Sequence, residues 1–143
     1  MKKKILIGVC GGIAAYKAAD LVSNLIKKDF DVTVCMTKSA EDFITPLTFS
    51  ALTNKKTLTV GNVELNSKES IYEHLYPSLL VDYFIVLPAT ANIISKLSNG
   101  LADDPVSISA LSLNATSKKI FCPAMNNLMW ENSIIQENCK KLI

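Results

Sequence analysis

Four short apolar runs alternate with longer amphipathic segments along this chain, and this alternation restricts its fold more than any other feature. The apolar runs cover residues 4–9, 31–36, 83–87 and 119–122. Nearly continuous apolar runs are typical of strands that are covered on both faces of a sheet. Strands that alternate with helical crossovers form a parallel sheet. The sequence therefore predicts an α/β domain with an open parallel sheet and helices on both faces.

The segments between these runs contain residues that usually start and stop helices. We expect helices over residues 13–28, over residues 40–53, from the segment 88–92 to about residue 98, from residue 103 onward and over residues 133–142. Pro46 interrupts the second of these, because proline forbids an ordinary helical turn. Gly100 is a helix stop, and Asp103, Asp104 and Pro105 form a helix start with a carboxylate cap and a proline in the first turn. The polar residues 54–70 predict an irregular connection with one edge strand at 58–60. This layout is that of a Rossmann-like or flavodoxin-like fold.

Length and charge exclude several classes of protein. The 143 residues fit one domain, residues 1–143, and no apolar run approaches the roughly 20 residues of a membrane span. The basic residues 1–4 resemble the start of a signal peptide, but the apolar run behind them is short and leads into two glycines. A formal net charge of +2, with scattered lysines and acids, gives no case for nucleic acid or a membrane surface. We therefore expect a cytoplasmic protein.

The cysteines suggest neither a metal site nor a redox motif. They are Cys10, Cys35, Cys122 and Cys139, and their spacing matches no zinc or thioredoxin pattern. The first three end or lie within apolar runs. We expect small buried side chains in a reducing compartment.

Unusual polar segments follow the ends of the predicted strands. Because the carboxyl ends of parallel strands share one edge of a sheet, these segments should assemble a composite ligand site there. The most distinctive is the segment PAMNNLMW at residues 123–130, whose residue types are poorly suited to a turn and poorly suited to a helix. Its Asn side chains offer a donor and an acceptor, and its Met side chains can pack against a flat ring.

Two other loops at this edge are suited to a phosphate. Gly11 and Gly12 precede the first helix, where free N–H groups and the helix dipole attract anions, although a tight turn without a ligand has the same sequence. A dinucleotide-binding fold has an acidic residue after its second strand. This chain has Thr37, Lys38 and Ser39 there, which argues against NAD and favours a mononucleotide.

The residues alone do not decide the roles of two further features. His74 is the only histidine, and its near-neutral pKa would suit acid–base catalysis, but a lone histidine is often structural. Thr90 or Asn92 in the segment 88–92 could cap a helix, bind an anionic ligand, or do both.

Together these segments resemble the flavin-dependent cysteine decarboxylases. The resemblance rests on residues 10–17, His74, residues 88–92, residues 100–104 and residues 123–130, which occur in the order typical of that family. It extends from residue 5 to about residue 130. Ala124 makes the chain more similar to the coenzyme A branch, which includes phosphopantothenoylcysteine decarboxylase, than to the lantibiotic branch.

The resemblance implies FMN as the cofactor and a homo-oligomer, either a trimer or a dodecamer of trimers. The residues that it places against FMN are Gly12, Ile13, Thr37, Ser39, Thr90, Ala91, Asn92 and Ala124. It makes His74 the essential acid–base residue. It makes Asn126 the residue that holds the substrate carboxylate, with Met129 nearby.

The implied activity is decarboxylation of 4′-phosphopantothenoylcysteine to 4′-phosphopantetheine in coenzyme A biosynthesis. In this family a hydride passes from the cysteinyl β-carbon to the flavin, the resulting thioaldehyde loses carbon dioxide, and the flavin reduces the ene-thiol that remains. Two alternatives stay open: a lantibiotic-type peptidyl-cysteine decarboxylase, and a catalytically silent FMN-binding or regulatory subunit. A fused ligase domain or a separate ligase partner is also compatible with the resemblance.

The chain departs from the family pattern in two places. Gly12 replaces a serine, which removes one hydroxyl from the phosphate site. The family's later glycine-rich segment carries a cysteine that serves the final reduction, and Ile143 ends this sequence before such a segment. We therefore expect a truncated or degenerate chain that stalls at the ene-thiol.

Overall fold

Four parallel strands form one sheet in the order β2-β1-β3-β4 in the computed structural model, which describes residues 1–62 and 80–143. The strands are β1 (Lys4–Val9), β2 (Asp31–Met36), β3 (Tyr83–Ala89) and β4 (Lys118–Pro123). The first two match the predicted runs, and the other two extend them by one or two residues. In this strand order the chain reverses direction across the sheet between β1 and β3, the point where doubly wound folds bind their ligands. The predicted flavodoxin-like parallel sheet is confirmed.

Helices cover both faces of this sheet. They are α1 (Ala15–Lys27), α2 (Pro46–Thr53), α3 (Ala91–Ser98), α4 (Pro105–Leu111), α5 (Asn127–Glu131) and α6 (Ser133–Lys141). One face of β1 packs Ile5, Ile7 and Val9 into a core that includes the buried residues of α1 and α2. On the opposite face, Leu6 and Cys10 belong to a second core shared with α3 and α4. Alternate residues of one strand therefore serve two separate cores, as the continuous apolar run requires.

The segment between β2 and α2 differs from its prediction. We expected one helix over residues 40–53, interrupted at Pro46. The structure has a 3₁₀ turn over Lys38–Asp42, and α2 then begins with Pro46 as its first residue. Proline is tolerated there because the first N–H of a helix has no partner within the helix. The proline starts a helix rather than breaking one.

The connection after α2 is less regular than a strand. The edge strand expected at residues 58–60 is reduced to one parallel bridge between Leu58 and Cys35. Leu58 donates its N–H to the Val34 carbonyl at 2.9 Å and accepts from the Met36 N–H at 2.8 Å. A second 3₁₀ turn follows over Val60–Asn62. Residues 63–70 of the predicted connection lie outside the described residues.

The predicted helix stop and start between α3 and α4 are confirmed. Gly100 has a φ of 72°, and the Leu101 N–H donates to the Lys96 carbonyl at 3.0 Å, which closes the end of α3. Asp104 then caps α4, because its Oδ1 accepts from the Ser107 N–H at 2.9 Å while Ser107 Oγ accepts from the Asp104 N–H at 3.1 Å. The same carboxylate reaches Lys96 Nζ at 2.8 Å, so an ion pair joins the two helices.

No helix within residues 1–62 and 80–143 has both the length and the apolar character needed to cross a bilayer.

Candidate functional site

The loops after β1 and β2 are in direct contact at the carboxyl edge of the sheet. A Cβ atom on Gly11 would lie 2.4 Å from Ser39 Oγ and 2.9 Å from the Ser39 carbonyl carbon. Only glycine fits this position without displacing the second loop. The Thr37 N–H also donates to the Val9 carbonyl at 3.0 Å, which ties the two strand ends together. The predicted assembly of these two loops is therefore observed.

The loops after β3 and β4 join the same edge. A Cβ atom on Gly12 would lie 3.6 Å from Pro88 Cγ and 3.8 Å from Thr90 Cγ2, which is ordinary van der Waals contact. The Ala124 N–H donates to the Ala89 carbonyl at 3.1 Å, so the loop after β4 lies beside that of β3. All four strand ends thus contribute to one site.

The loop after β2 presents a pair of hydroxyl groups. The Thr37 and Ser39 hydroxyls share a hydrogen bond of 3.2 Å, and Thr37 Oγ1 accepts from the Ala40 N–H at 3.3 Å. Thr37 is buried and Ser39 is exposed, so Ser39 is the more accessible of the two. Lys38 Nζ forms an ion pair with Glu41 Oε2 at 3.0 Å, so the Glu41 carboxylate partly neutralises the positive charge expected in this loop.

Glu41 is a residue of this loop that the sequence reasoning missed. Its Oε1 atom is buried and has no hydrogen-bond partner in the part of the chain that the structure describes. Buried polar atoms nearly always have partners, and a donor on a ligand or a water would supply one. No pattern in the sequence could reveal it, because burial of one carboxylate oxygen depends on how the turn packs.

The start of α1 lacks the side-chain cap that most other helices of the described chain have. Ala14 occupies the cap position without a side-chain hydrogen bond, and the first turn contains no acidic residue. In contrast, the caps of α3, α4, α5 and α6 each accept a hydrogen bond from the helix that they start. Two N–H groups of the first turn of α1 are engaged locally, since that of Ala15 donates to the Gly12 carbonyl at 2.9 Å and that of Lys17 to the Ala14 carbonyl at 3.0 Å. The positive end of the helix dipole still lies beside Gly12, which favours an anion. Ile13 lies next to this end with 81% of its surface exposed.

The segment after β3 has a structural role that does not exclude a ligand. Thr90 caps α3, because its Oγ1 accepts from the Ile93 N–H at 3.3 Å. Ala91 is half-buried and Asn92 is exposed. Of the two caps considered from the sequence, Thr90 is thus the observed one.

The segment 123–130 contains a helix, so the prediction that its chemistry suits no helix is wrong. Pro123 ends β4, and α5 begins at Asn127. Asn126 provides the start signal, since its Oδ1 accepts from the Met129 N–H at 2.9 Å. Leucine and methionine then favour the helix. Because Oδ1 is occupied, the Asn126 amide presents Nδ2, which donates to no group among the described residues.

Two cavities flank Trp130 at this end of the molecule. One of about 320 Å³ is lined by Pro123, Ala124, Met125, Asn127 and Trp130. The other, of about 450 Å³, lies against β4 and α6 and is lined by Ile94, Lys119, Phe121, Pro123, Trp130, Cys139, Leu142 and Ile143. Met129 and Asn126 belong to neither lining.

Two of the four cysteines, Cys10 and Cys35, are poor nucleophiles. Cys10 and Cys35 are buried in the second core, as expected, whereas Cys122 and Cys139 are only half-buried. Burial raises the pKa of the Cys35 thiol to about 12 and also raises the pKa of the Cys10 thiol. Thiols with raised pKa values stay protonated and unreactive at neutral pH. Within residues 1–62 and 80–143, no three His, Cys, Asp or Glu side chains are close enough to hold a metal ion.

His74, the expected acid–base residue, lies outside the described residues.

A comparison with known protein families shows which family this chain belongs to. The model of the family described as Flavoprotein matches residues 1–143. The chain belongs to the Flavoprotein family. A probable phosphopantothenoylcysteine decarboxylase of Streptococcus mutans is 43% identical over 138 residues, which are 96% of this chain and 76% of the relative.

Other members of the Flavoprotein family are longer. The coenzyme A biosynthesis bifunctional protein CoaBC of Borreliella burgdorferi is 43% identical over 140 residues, which are 98% of this chain but 35% of the relative. This chain thus spans about a third of that relative. Two solved structures share its fold over nearly the whole chain. MrsD from a Bacillus species has a TM-score of 0.83 and is 31% identical, and the match covers 99% of this chain and 78% of MrsD. The FMN-dependent cysteine decarboxylase SpaF has a TM-score of 0.86 and is 25% identical, and the match covers 98% of this chain and 78% of SpaF.

Proposed function

We propose that this chain catalyses the FMN-dependent decarboxylation of 4′-phosphopantothenoylcysteine to 4′-phosphopantetheine in coenzyme A biosynthesis. The observation that carries the proposal is that four βα loops meet at one sheet edge. The start of α1 in one loop favours an anion, and another loop has an amide donor, Asn126 Nδ2, that no described residue accepts from. The names of the Streptococcus and Borreliella relatives support the reaction, and that of SpaF supports the cofactor.

The residues at the switch between β1 and β3 fit the phosphate and ribityl parts of FMN. The uncapped start of α1, with Gly12 and Ile13, offers N–H donors to the phosphate. Thr37 and Ser39 offer hydroxyl groups, and the unpaired Oε1 of Glu41 offers an acceptor for a hydroxyl donor. The remaining contacts in the proposal come from the residues that follow β3 and β4, namely Thr90, Ala91, Asn92 and Ala124. When bound, FMN supplies the two-electron redox chemistry that the decarboxylation needs.

Asn126 holds the carboxylate of the substrate in this proposal. Its Oδ1 is engaged with the helix start, so Nδ2 is the part of the amide that remains to donate to an anion. Met129 lies three residues later, on the same side of α5, and is 44% exposed. The pair therefore provides a donor for the carboxylate and an apolar surface beside the thiol-bearing carbon.

His74 is the acid–base residue of the proposal. The His74→Asn variant should bind FMN as the wild type does but should not turn over. An equally active variant would remove His74 from the mechanism.

The proposal is tested by two measurements on the purified protein. The visible spectrum and the identity of the released flavin test for FMN, and release of carbon dioxide from phosphopantothenoylcysteine tests for the reaction. A yellow protein that yields FMN and releases carbon dioxide supports the proposal, and phosphopantetheine as the main product would contradict the expected stall at the ene-thiol. A protein that binds no FMN overturns it.

A second candidate is the decarboxylation of a peptidyl cysteine, which the likeness to an EpiD variant solved in complex with the substrate peptide DSYTC favours. Assays with both substrates distinguish the two candidate functions, because the protein's own substrate should have the higher kcat/KM. A protein that binds FMN but decarboxylates neither substrate would be the silent FMN-binding subunit.

The proposed assembly is a trimer or a dodecamer of trimers in the cytoplasm, with a ligase as a fused domain or partner. The exposed apolar side chains near the site support subunit contacts there; they are Ile13, Tyr16, Phe43 and Leu47. The four free thiols suit a reducing compartment. Sedimentation velocity tests the assembly.

A further inference from the structure

The 320 Å³ cavity beside Trp130 adjoins the proposed site but takes no part in the function described so far. It shares Ala124 with the proposed flavin contacts, so the two spaces are neighbours. We infer that this cavity receives the acyl amide attached to the cysteine nitrogen of the substrate, and that Asn127 selects it through a hydrogen bond. The inference rests on the proposed function, because it assumes a cysteinyl substrate held at Asn126.

The spacing of residues along α5 places the cavity next to the carboxylate-binding group. Residues three or four positions apart share one side of a helix. Trp130 is therefore a neighbour of both Asn126 and Asn127. Asn127 and Trp130 line the cavity, whereas Asn126 lies outside its lining. A substrate whose carboxylate meets Asn126 can thus extend across Trp130 toward Asn127. The nitrogen of an acylated cysteine is one bond from the same carbon as its carboxylate, so this direction suits the acyl group.

The lining of the cavity selects a neutral polar group. None of the described residues that line it is charged, so a second carboxylate or a phosphate would find no opposite charge there. Among the described residues of its lining, Asn127 is the one side chain with both a donor and an acceptor, because the indole of Trp130 has only a donor. The Asn127 amide makes no hydrogen bond within the described residues. An amide side chain presents one donor group and one acceptor, and a substrate amide presents the complementary pair.

The size of the cavity limits what it can hold. Ligand pockets range over roughly 300–1,000 Å³, and this one, at about 320 Å³, is near the lower limit. It can hold the amide and the first carbons of the acyl chain, and its uncharged lining offers no charged partner to the phosphate. The phosphate end of the substrate must therefore lie outside it.

A pair of unreactive analogues tests the assignment. One is 4′-phosphopantothenoylserine, in which a hydroxyl replaces the thiol, and the other is the matching ester of glycerate, in which oxygen replaces the amide N–H. Their dissociation constants are measured by calorimetry with the FMN-loaded wild type, Asn127→Ala and Leu128→Ala. Leu128 is the matched control, since it belongs to the same helix, is 81% exposed and lies outside the cavity.

The wild type and Leu128→Ala should bind the amide about fivefold more tightly than the ester, which is the usual effect of one hydrogen bond. In Asn127→Ala this preference should fall to about one. Retention of the full preference in Asn127→Ala, with FMN bound and an unchanged circular dichroism spectrum, overturns the inference and leaves the proposed function intact. Failure of the FMN-loaded wild type to bind either analogue overturns the proposed function together with the inference.

Discussion

Asn126 has one amide group whose two ends can be tested separately. Its oxygen caps α5, and in the proposed function its nitrogen holds the substrate carboxylate. The Asn126→Asp variant keeps an acceptor for the Met129 N–H, so its free energy of unfolding should stay within about 0.5 kcal/mol of the wild type. Two carboxylates would then meet in the complex, so the affinity for the serine analogue should fall at least about tenfold.

Chemical unfolding and calorimetry check this prediction. Asn126→Ala is the control, because it loses the cap as well and should lower the free energy of unfolding by about 1 kcal/mol. Unchanged analogue binding by Asn126→Asp would show that the nitrogen has no role in holding the carboxylate.

The two adjacent glycines after β1 face very different surroundings. In Gly11→Ala the new methyl group would overlap Ser39, whose backbone cannot easily move. We expect a loss of about 1–3 kcal/mol in the free energy of unfolding, and weaker FMN binding because the second loop shifts. Gly12→Ala is the matched control, since its methyl group would make only ordinary contacts with Pro88 and Thr90. Fluorescence titration with FMN should separate the two variants, and equal affinities would contradict the contact at Ser39.

At the level of elements, one glycine sets how closely a helix approaches the sheet. A Cβ atom on Gly8 would lie 2.7 Å from Val106 Cγ1, so α4 packs tightly against β1. Gly8→Ala should therefore lower the free energy of unfolding by about 1–3 kcal/mol. The double variant with Val106→Ala regains space, so urea unfolding should show less destabilisation than the sum of the single changes. Strict additivity would mean that the two residues do not interact.

The ion pairs between α3 and α4 predict a dependence of stability on pH. Burial opposes charge on Lys96, but hydrogen bonds to Asp103 and Asp104 raise its pKa. The hydrogen bond from Lys96 holds the pKa of Asp103 below its usual value. A carboxylate with a lowered pKa stabilises the fold above its unfolded pKa, and this contribution is lost as pH falls through the folded one. The difference in free energy of unfolding between wild type and Lys96→Met should therefore shrink between neutral pH and about pH 3. A difference that stays constant would show that the ion pairs add no stability.

The elements also show which parts of the fold can be predicted from the sequence. The strands were predicted to within two residues because each is a continuous apolar run bounded by polar residues. The helix α5 was missed because Asn126 was interpreted only as a ligand group, although asparagine is equally a helix cap. A break was expected at Pro46 because proline forbids an ordinary helical turn, but the turn at Lys38–Asp42 ends before it, so Pro46 is the first residue of α2.

The site is predictable in outline but not in its contacts, for a reason that belongs to the whole molecule. Parallel topology alone brings the four strand ends to one edge, so the sequence suffices to name the four loops. The contact between Gly11 and Ser39 depends on how neighbouring loops fold back over the sheet. So does the burial of Glu41 Oε1 without a partner. Neither leaves a pattern in the chain.

The whole fold should respond to the cofactor, because a ligand held by three or four loops stabilises the state in which they meet. A ligand at a hundredfold excess over its dissociation constant adds about 2.7 kcal/mol to the free energy of unfolding. FMN should give this shift, and riboflavin at the same concentration should give much less, because it has no phosphate for the uncapped start of α1. Urea unfolding of the flavin-free protein with each ligand measures the difference. Equal shifts would mean that the helix start holds no phosphate and that the loops bind the ring system alone.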